Sequence, residues 1–140
     1  MKYLLDTCVL SKFVKQTPNK QVLDWIFNTN LFDLFISSLS IGEIWKGISK
    51  LPKSKRKEEL NIWFNKDILE EYSDRIIPFN KEIAKTWGEL NAKSESEGKS
   101  LTVIDSLIAA TAIHNDLVLV TRNIRDFINT GCELFNPWEI

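Results

Sequence analysis

Histidine and cysteine, which supply much of active-site chemistry, are scarce in this sequence. The 140 residues contain one histidine and two cysteines. A Cys₂His₂ zinc site and a catalytic pair of histidines are therefore excluded within one chain. His114 follows an apolar helical run, where a basic residue suits a helix C-terminus. We expect Cys8 and Cys132 to be buried thiols rather than a disulfide, because we predict a reducing compartment.

Long hydrophobic runs and an excess of charge of one sign are also missing. The longest mostly apolar stretch, Leu107–Ile113, falls far short of the ~20 residues that cross a bilayer. The N-terminal apolar run ends at Asp6, too early for a signal peptide, so we expect a cytoplasmic protein. With 18 Lys and Arg against 19 Asp and Glu, nucleic-acid binding would require a local basic patch.

The fold class follows from the alternation of two hydrophobic patterns in what we expect to be one domain spanning residues 1–140. Short apolar runs typical of strands lie at residues 2–5, 34–37, 75–79, 117–121 and 132–135. Stretches with helical spacing of apolar residues separate them. Strands that alternate with helices predict an α/β domain with a mainly parallel sheet and right-handed crossovers.

Three carboxylates fall near the predicted carboxyl ends of strands, where α/β sheets bind ligands. Asp6 follows the first strand, Glu43 follows the second, and Asp105 opens an apolar helix. Each has a structural alternative, namely a turn for Asp6, a capping box with Ser40 for Glu43, and a helix-dipole contact for Asp105. If they cluster, their mutual repulsion calls for a cation, and oxygen ligands suit Mg²⁺ or Mn²⁺. Residues 121–127 add oxygen ligands at the same edge, and such a site can activate water against a phosphoryl group.

Four segments, in this order, resemble the motifs of the PIN domain, and most closely those of the VapC-like ribonuclease toxins of type II toxin–antitoxin systems. They are LLDTCVLS at 4–11, SIGEI at 40–44, IDSLIAATA at 104–112 and VTRNIRDF at 120–127. The resemblance extends over essentially the whole chain. It implies a PIN-like three-layer domain whose central, mainly parallel sheet of four to five strands is flanked by helices. It also implies a Mg²⁺-dependent endoribonuclease, frequent homodimers, and a cognate antitoxin that blocks the acidic site.

The resemblance carries three acids onto Asp6, Glu43 and Asp105, and the fourth acid of many members falls at Asn123. An asparagine can still bind a metal through its carbonyl oxygen, whereas its neutrality weakens a second metal site. Asp126 lies three residues further on, so that it could share a helical face with Asn123 and approach the site directly or through water.

Basic residues provide candidates for binding RNA phosphates, a contact that gives affinity and salt dependence rather than sequence reading. A run without acids extends from Lys46 to Lys57, and a solvated turn between helices is its alternative reading. Two arginines flank the acidic site. The candidates are Lys46, Lys50, Lys53, Arg122 and Arg125.

Two other functions compete with the nuclease. A haloacid-dehalogenase-type phosphatase would need a second aspartate two residues after Asp6, where this chain has Cys8. A non-catalytic protein could use its acids to dock a basic partner segment. Large aromatic residues are numerous and, unless all belong to the core, some could form a groove for an antitoxin helix. These are Trp25, Phe27, Trp45, Trp63 and Phe64.

Overall fold

The architecture is a central parallel sheet between two layers of helices, as the computed structural model of residues 1–11 and 18–139 shows. Within those residues the sheet has five strands in the order β3-β2-β1-β4-β5, and every neighbouring pair is parallel. The strands are β1 (Tyr3–Leu5), β2 (Leu34–Ser37), β3 (Ile76–Ile77), β4 (Val118–Val120) and β5 (Leu134–Phe135). Each lies inside an apolar run that predicted a strand, so the predicted α/β fold is confirmed.

Helices cover both faces of this sheet. They are α1 (Thr7–Leu10), α2 (Lys20–Phe27), α3 (Ser38–Ser49), α4 (Lys55–Trp63), α5 (Lys81–Ser96), α6 (Val103–His114) and α7 (Ile124–Phe127), with a π-helical turn at Phe64–Glu70. No helix in this described part of the chain is long and apolar enough to cross a membrane. His114 is the last residue of α6, as expected, and both Cys8 and Cys132 are free, half-buried thiols.

The core has two halves because successive side chains of a strand point to opposite faces. Leu5 packs on one face with Val9 of α1 and Ile44 of α3. Leu4, its neighbour in β1, packs on the other face with Ile108 of α6. Both leucines are fully buried, as expected for a central strand that is covered on both sides.

The chain connections bring three segments to the carboxyl edge of the sheet. Asp6 follows β1 directly, α3 starts directly after β2, and Thr121 follows β4. Helix α6 ends shortly before β4 begins, so its N-terminal turn lies toward the same edge. The central strand β1 pairs with both β2 and β4, so Asp6 sits between the other two segments.

A buried arginine connects the outer part of the sheet to the preceding helices. Arg75, which the apolar pattern placed at the start of a strand, is only 5% exposed. Its guanidinium donates to the main-chain carbonyls of Leu31, Leu34 and Glu71. It also lies 4.7 Å from the ring centroid of Tyr72. Arg75 thus joins three main-chain carbonyls from two separate parts of the chain through one buried side chain.

We predict that Arg75→Met destabilises the protein by about 3 kcal/mol or more, because each buried carbonyl left without a donor costs roughly 1–3 kcal/mol. Urea unfolding followed by circular dichroism measures the change. Lys85→Met, at an exposed position of α5, is the matched control and should shift stability by less than about 0.5 kcal/mol. Equal effects of the two substitutions would contradict a structural role for the Arg75 contacts.

Candidate active site

Asp6 is a buried carboxylate at the end of the central strand. Its side chain is 7% exposed, and its backbone N–H still donates to the carbonyl of Val120 in β4 at 3.0 Å. Its Oδ1 accepts a hydrogen bond from the backbone N–H of Thr7 at 2.8 Å. Its Oδ2 accepts one from the hydroxyl of Thr121, also at 2.8 Å. Both oxygens are therefore oriented. Oδ1 keeps a lone pair for a further contact, whereas Oδ2 also accepts a weak hydrogen bond from the Cys8 thiol at 3.7 Å.

Burial raises the pKa of the Asp6 carboxyl above its ordinary value of 3.8, because burial disfavours the charged form. The hydrogen bonds from Thr121 and Thr7 oppose this rise by stabilising the carboxylate. The negative charges of Glu43 and Asp105 raise the pKa further. The clustering of these three acids around one metal ion stays a prediction.

Glu43 faces Asp6 rather than the end of its own helix. Helix α3 begins at Ser38, and the side chain of Ser37 accepts the N–H of Leu39 at 3.1 Å as the cap. The predicted capping box of Ser40 with Glu43 is therefore wrong, because Ser40 lies inside the helix. The Oε1 atom of Glu43 instead accepts a hydrogen bond from the hydroxyl of Thr7 at 2.8 Å.

Asp105 is held by the first turn of α6. Thr102 caps this helix, and its hydroxyl accepts the N–H of Asp105 at 3.2 Å. Ser106, the next residue, is fully buried; its hydroxyl donates to the carbonyl of Val103 at 2.7 Å and accepts the indole N–H of Trp87 at 2.9 Å. The turn is thus fixed on its inner side, while the half-buried Asp105 remains accessible to a ligand.

The donor atoms fit a hard divalent cation such as Mg²⁺, with water completing its shell. Across residues 1–11 and 18–139, no three His, Cys, Asp or Glu side chains form a ready-made metal cage. Mg²⁺ does not need one, since it usually keeps several waters and binds through one or two carboxylates together with substrate phosphates. Carboxylate oxygens from Asp6, Glu43 and Asp105 match that preference. A bound cation would also relieve the repulsion among the three negative charges.

Asn123 is bonded to Thr121, and Asp126 is bonded to Asn123 in turn. The hydroxyl of Thr121 accepts the N–H of Asn123 at 3.0 Å. The Asn123 side chain makes no capping bond to α7, and the N–H of Asp126 donates to the Asn123 carbonyl at 3.0 Å. Both residues are exposed and line a cavity of about 490 Å³ together with Arg122 and Arg125. The alternative between Asn123 and Asp126 as fourth ligand stays a prediction.

The basic candidates lie on the surface. Lys46 and Lys50 follow Glu43 by three and seven residues along α3 and its C-cap, hence on the same helical face, and Lys53 lies in the next loop. All three are exposed. Lys57, from the same basic run, has a structural role, because its ammonium donates to the carbonyl of Leu51 at 3.0 Å. Beyond β4, the Arg122 guanidinium lies 5.7 Å from the ring centroid of Trp138.

Of the two threonines that orient the acids, Thr121 was noted only within the segment 121–127 of oxygen ligands, and Thr7 was not recognised as a site residue from the sequence. Both lie where a central strand ends: Thr7 follows Asp6, and Thr121 follows Val120. A hydroxyl residue directly after the apolar run of a central strand is the sequence signal that could have identified them. Cys8 is a third neighbour, with Sγ 3.7 Å from Asp6 Oδ2, and burial raises the pKa of its thiol.

Comparisons with known proteins agree over nearly the full chain. The family model described as the PIN domain matches residues 3–131. Plasmid stability protein StbB of Pseudomonas syringae pv. tomato is 35% identical, covering 97% of this chain and 98% of that protein. Toxin FitB of Neisseria gonorrhoeae is 31% identical over 96% of this chain and 97% of its own. VapC ribonuclease Y4jK of Sinorhizobium fredii is 29% identical over 97% of each.

Solved structures show the same likeness. The crystal structure of FitAcB from Neisseria gonorrhoeae superposes with a TM-score of 0.94, at 30% identity and 99% coverage of both chains. That of VapBC2 from Rickettsia felis, bound to a promoter DNA fragment, gives a TM-score of 0.78 at 28% identity, covering 97% of this chain and 98% of that one.

We predict that Asp6→Asn is more stable than the wild type at pH 7 without divalent cations, because it removes a buried charge while Asn can still bond to Thr7 and Thr121. A raised folded-state pKa means that ionised Asp6 opposes folding at high pH. The difference in stability between Asp6→Asn and the wild type should therefore vanish as the pH falls below 3.8, the ordinary pKa of an aspartate, because Asp6 is then protonated in both the folded and the unfolded state. Thermal unfolding from pH 3 to 8 provides the measurement. A gap independent of pH would contradict the electrostatic explanation.

Proposed function

This chain belongs to the PIN domain family, and from that membership and its acidic site we propose that it is a metal-dependent endoribonuclease, the toxin of a type II toxin–antitoxin pair. The observation that carries the proposal is the buried Asp6 carboxylate, which bonds to the N–H of Thr7 while the Thr7 hydroxyl bonds to Glu43. Relatives named as a toxin and as a VapC ribonuclease support the assignment. The substrate is RNA, and the cofactor is Mg²⁺, for which Mn²⁺ can substitute.

The residues of this chain would bind and orient the reactants. Asp6 and Asp105 would hold the cation, and Glu43 would contribute directly or through water. A bound divalent cation lowers the pKa of water and neutralises charge on a phosphate. No histidine is then required as the base, which is consistent with His114 lying at the far end of α6. The firmly hydrogen-bonded Asp6 fixes the site before substrate arrives, which favours catalysis through preorganisation.

Positive side chains would hold the RNA backbone on either side of the acids. Lys46, Lys50 and Lys53 extend from Glu43 along and beyond one face of α3. Arg122 and Arg125 line the cavity that also contains Asn123. We propose that both groups bind phosphates. With a net charge of −1, such local contacts rather than the overall charge would supply the affinity.

A protein antitoxin and a second copy of the chain are the proposed partners. The FitAcB and VapBC2 structures support an antitoxin. Some aromatic side chains are available for it: Phe27 is 75% exposed and, with Trp63, lines an apolar cavity of about 490 Å³. Trp45 is 42% exposed. Phe64 is only 4% exposed and belongs to the core, and Trp25 and Trp63 are both half-buried against it, so only part of the predicted aromatic set is freely accessible.

We predict that Asp105→Asn lowers RNA cleavage at least 100-fold, because it removes a metal ligand. It should keep or raise the melting temperature, since one charge of the repelling cluster is removed. Purified protein is incubated with total RNA and Mg²⁺, and the new RNA ends are mapped by sequencing.

Asp116→Asn, in the turn after α6, is the matched control and should cleave like the wild type. Chelation of the cation should abolish cleavage by the wild type. A folded Asp105→Asn protein with normal cleavage would contradict the nuclease assignment. Failure of the wild type to cleave any RNA, with binding to a basic antitoxin segment intact, would favour the non-catalytic alternative.

We predict that Phe27→Ala and Trp63→Ala each weaken binding of the cognate antitoxin at least 10-fold, because both remove apolar contact area from the cavity. Ile62→Ala, an exposed change on α4 next to Trp63, is the control and should leave the affinity unchanged. Binding is measured by calorimetry on variants whose circular dichroism matches the wild type. Unchanged affinity for both aromatic variants would assign these residues to the core alone.

A further inference from the structure

Thr7 connects two of the acids that come from distant parts of the chain. We propose that Thr7 is a positioning residue, whose hydroxyl holds the Glu43 carboxylate toward Asp6 so that both can serve one divalent cation. The inference rests on the proposed function, because it assigns Thr7 a role in the metal site of that nuclease.

The geometry of Thr7 gives it contact with both acids at once. Its backbone N–H donates to Asp6 Oδ1, and its Oγ1 donates to Glu43 Oε1, both at 2.8 Å. Thr7 is itself fixed, since it begins α1 and its carbonyl accepts the hydroxyl of Ser11 at 3.0 Å. A threonine side chain also has few rotamers, because it is branched at Cβ.

Glu43 needs such a donor to stay in the site. It is half-buried on α3 beside the negative charge of Asp6, and a glutamate gains side-chain entropy when it turns into solvent. Repulsion from Asp6 and this entropy both favour the outward position. The Thr7 hydroxyl opposes them with a hydrogen bond to a charged acceptor, which is among the stronger kinds. A hydroxyl has a single proton to donate, and Thr7 gives it to Glu43.

The role of Thr7 is separable from that of Thr121. Thr121 donates its proton to Asp6 and accepts the N–H of Asn123, so it serves Asp6 alone among the three acids. When the hydroxyl of Thr7 is removed, Asp6 keeps both of its own donors, because the Thr7 contact to Asp6 comes from the backbone. Loss of the hydroxyl should therefore act through Glu43.

The test is a double-mutant cycle read out by Mn²⁺ binding in calorimetry. Thr7→Val should weaken Mn²⁺ binding roughly 10- to 100-fold, the usual effect of losing a residue that orients a ligand. Thr7→Ser keeps the hydroxyl and should restore most of the affinity. In the Glu43→Ala background, Thr7→Val should cause no further loss, since the two effects share one contact. Thr86→Val, on α5, is the matched control and should bind Mn²⁺ like the wild type.

Several outcomes would overturn the inference. Wild-type affinity in folded Thr7→Val, or additive losses in the double variant, would show that the hydroxyl does not act through Glu43. If Thr7→Val does not fold, Thr7→Ala is measured in the same cycle under the same criteria. If the wild type binds Mn²⁺ and cleaves RNA but the losses in the variants are additive, this inference alone is overturned. Absence of Mn²⁺ binding by the wild type would overturn the proposed function and this inference with it.

Discussion

A carboxylate buried at the centre of a sheet is the constraint on which the rest of the site depends. Asp6 loses most of its hydration, so its charge must be stabilised by donors or by a cation. Donors reach it from Thr7 and from Thr121. Thr7 is the next residue of the chain, and the strand order supplies Thr121, because β4 lies beside β1. The same order brings Glu43 into contact with Thr7 through α3, and under the proposed function the two acids together would bind a cation.

The sheet and the acidic cluster could be predicted because both depend on local pattern and simple topology. Apolar runs identified all five strands of the described residues, although several strands start or end one or two residues inside those runs. Parallel strands place their carboxyl ends at one edge, so Asp6, Glu43 and Asp105 were expected to meet there. Thr7 donates to both Asp6 and Glu43, whereas a shared metal site of the three acids stays a prediction.

Contacts between distant residues could not be predicted from the sequence. Ser37 and Ser40 both precede Glu43 closely enough to suggest a cap, and only the direct passage from β2 into α3 selects Ser37. The bond from Thr7 to Glu43 spans 36 residues. The bonds of Arg75 to Leu31 and Leu34 span 44 and 41. No periodicity encodes such pairs, because each depends on how separate elements pack.

The most direct test of a metal site at Asp6 is crystallographic. Crystals of the protein are soaked in Mn²⁺, and anomalous diffraction is collected near the manganese absorption edge. A metal site built on Asp6 should give an anomalous peak within ordinary Mn–oxygen bonding distance of Asp6, with Asp105 and Glu43 bound directly or through water. The peak should disappear in Asp6→Ala crystals treated in the same way. Absence of a peak beside Asp6 in the wild type, at Mn²⁺ concentrations that support RNA cleavage, would contradict a metal site built on this buried carboxylate.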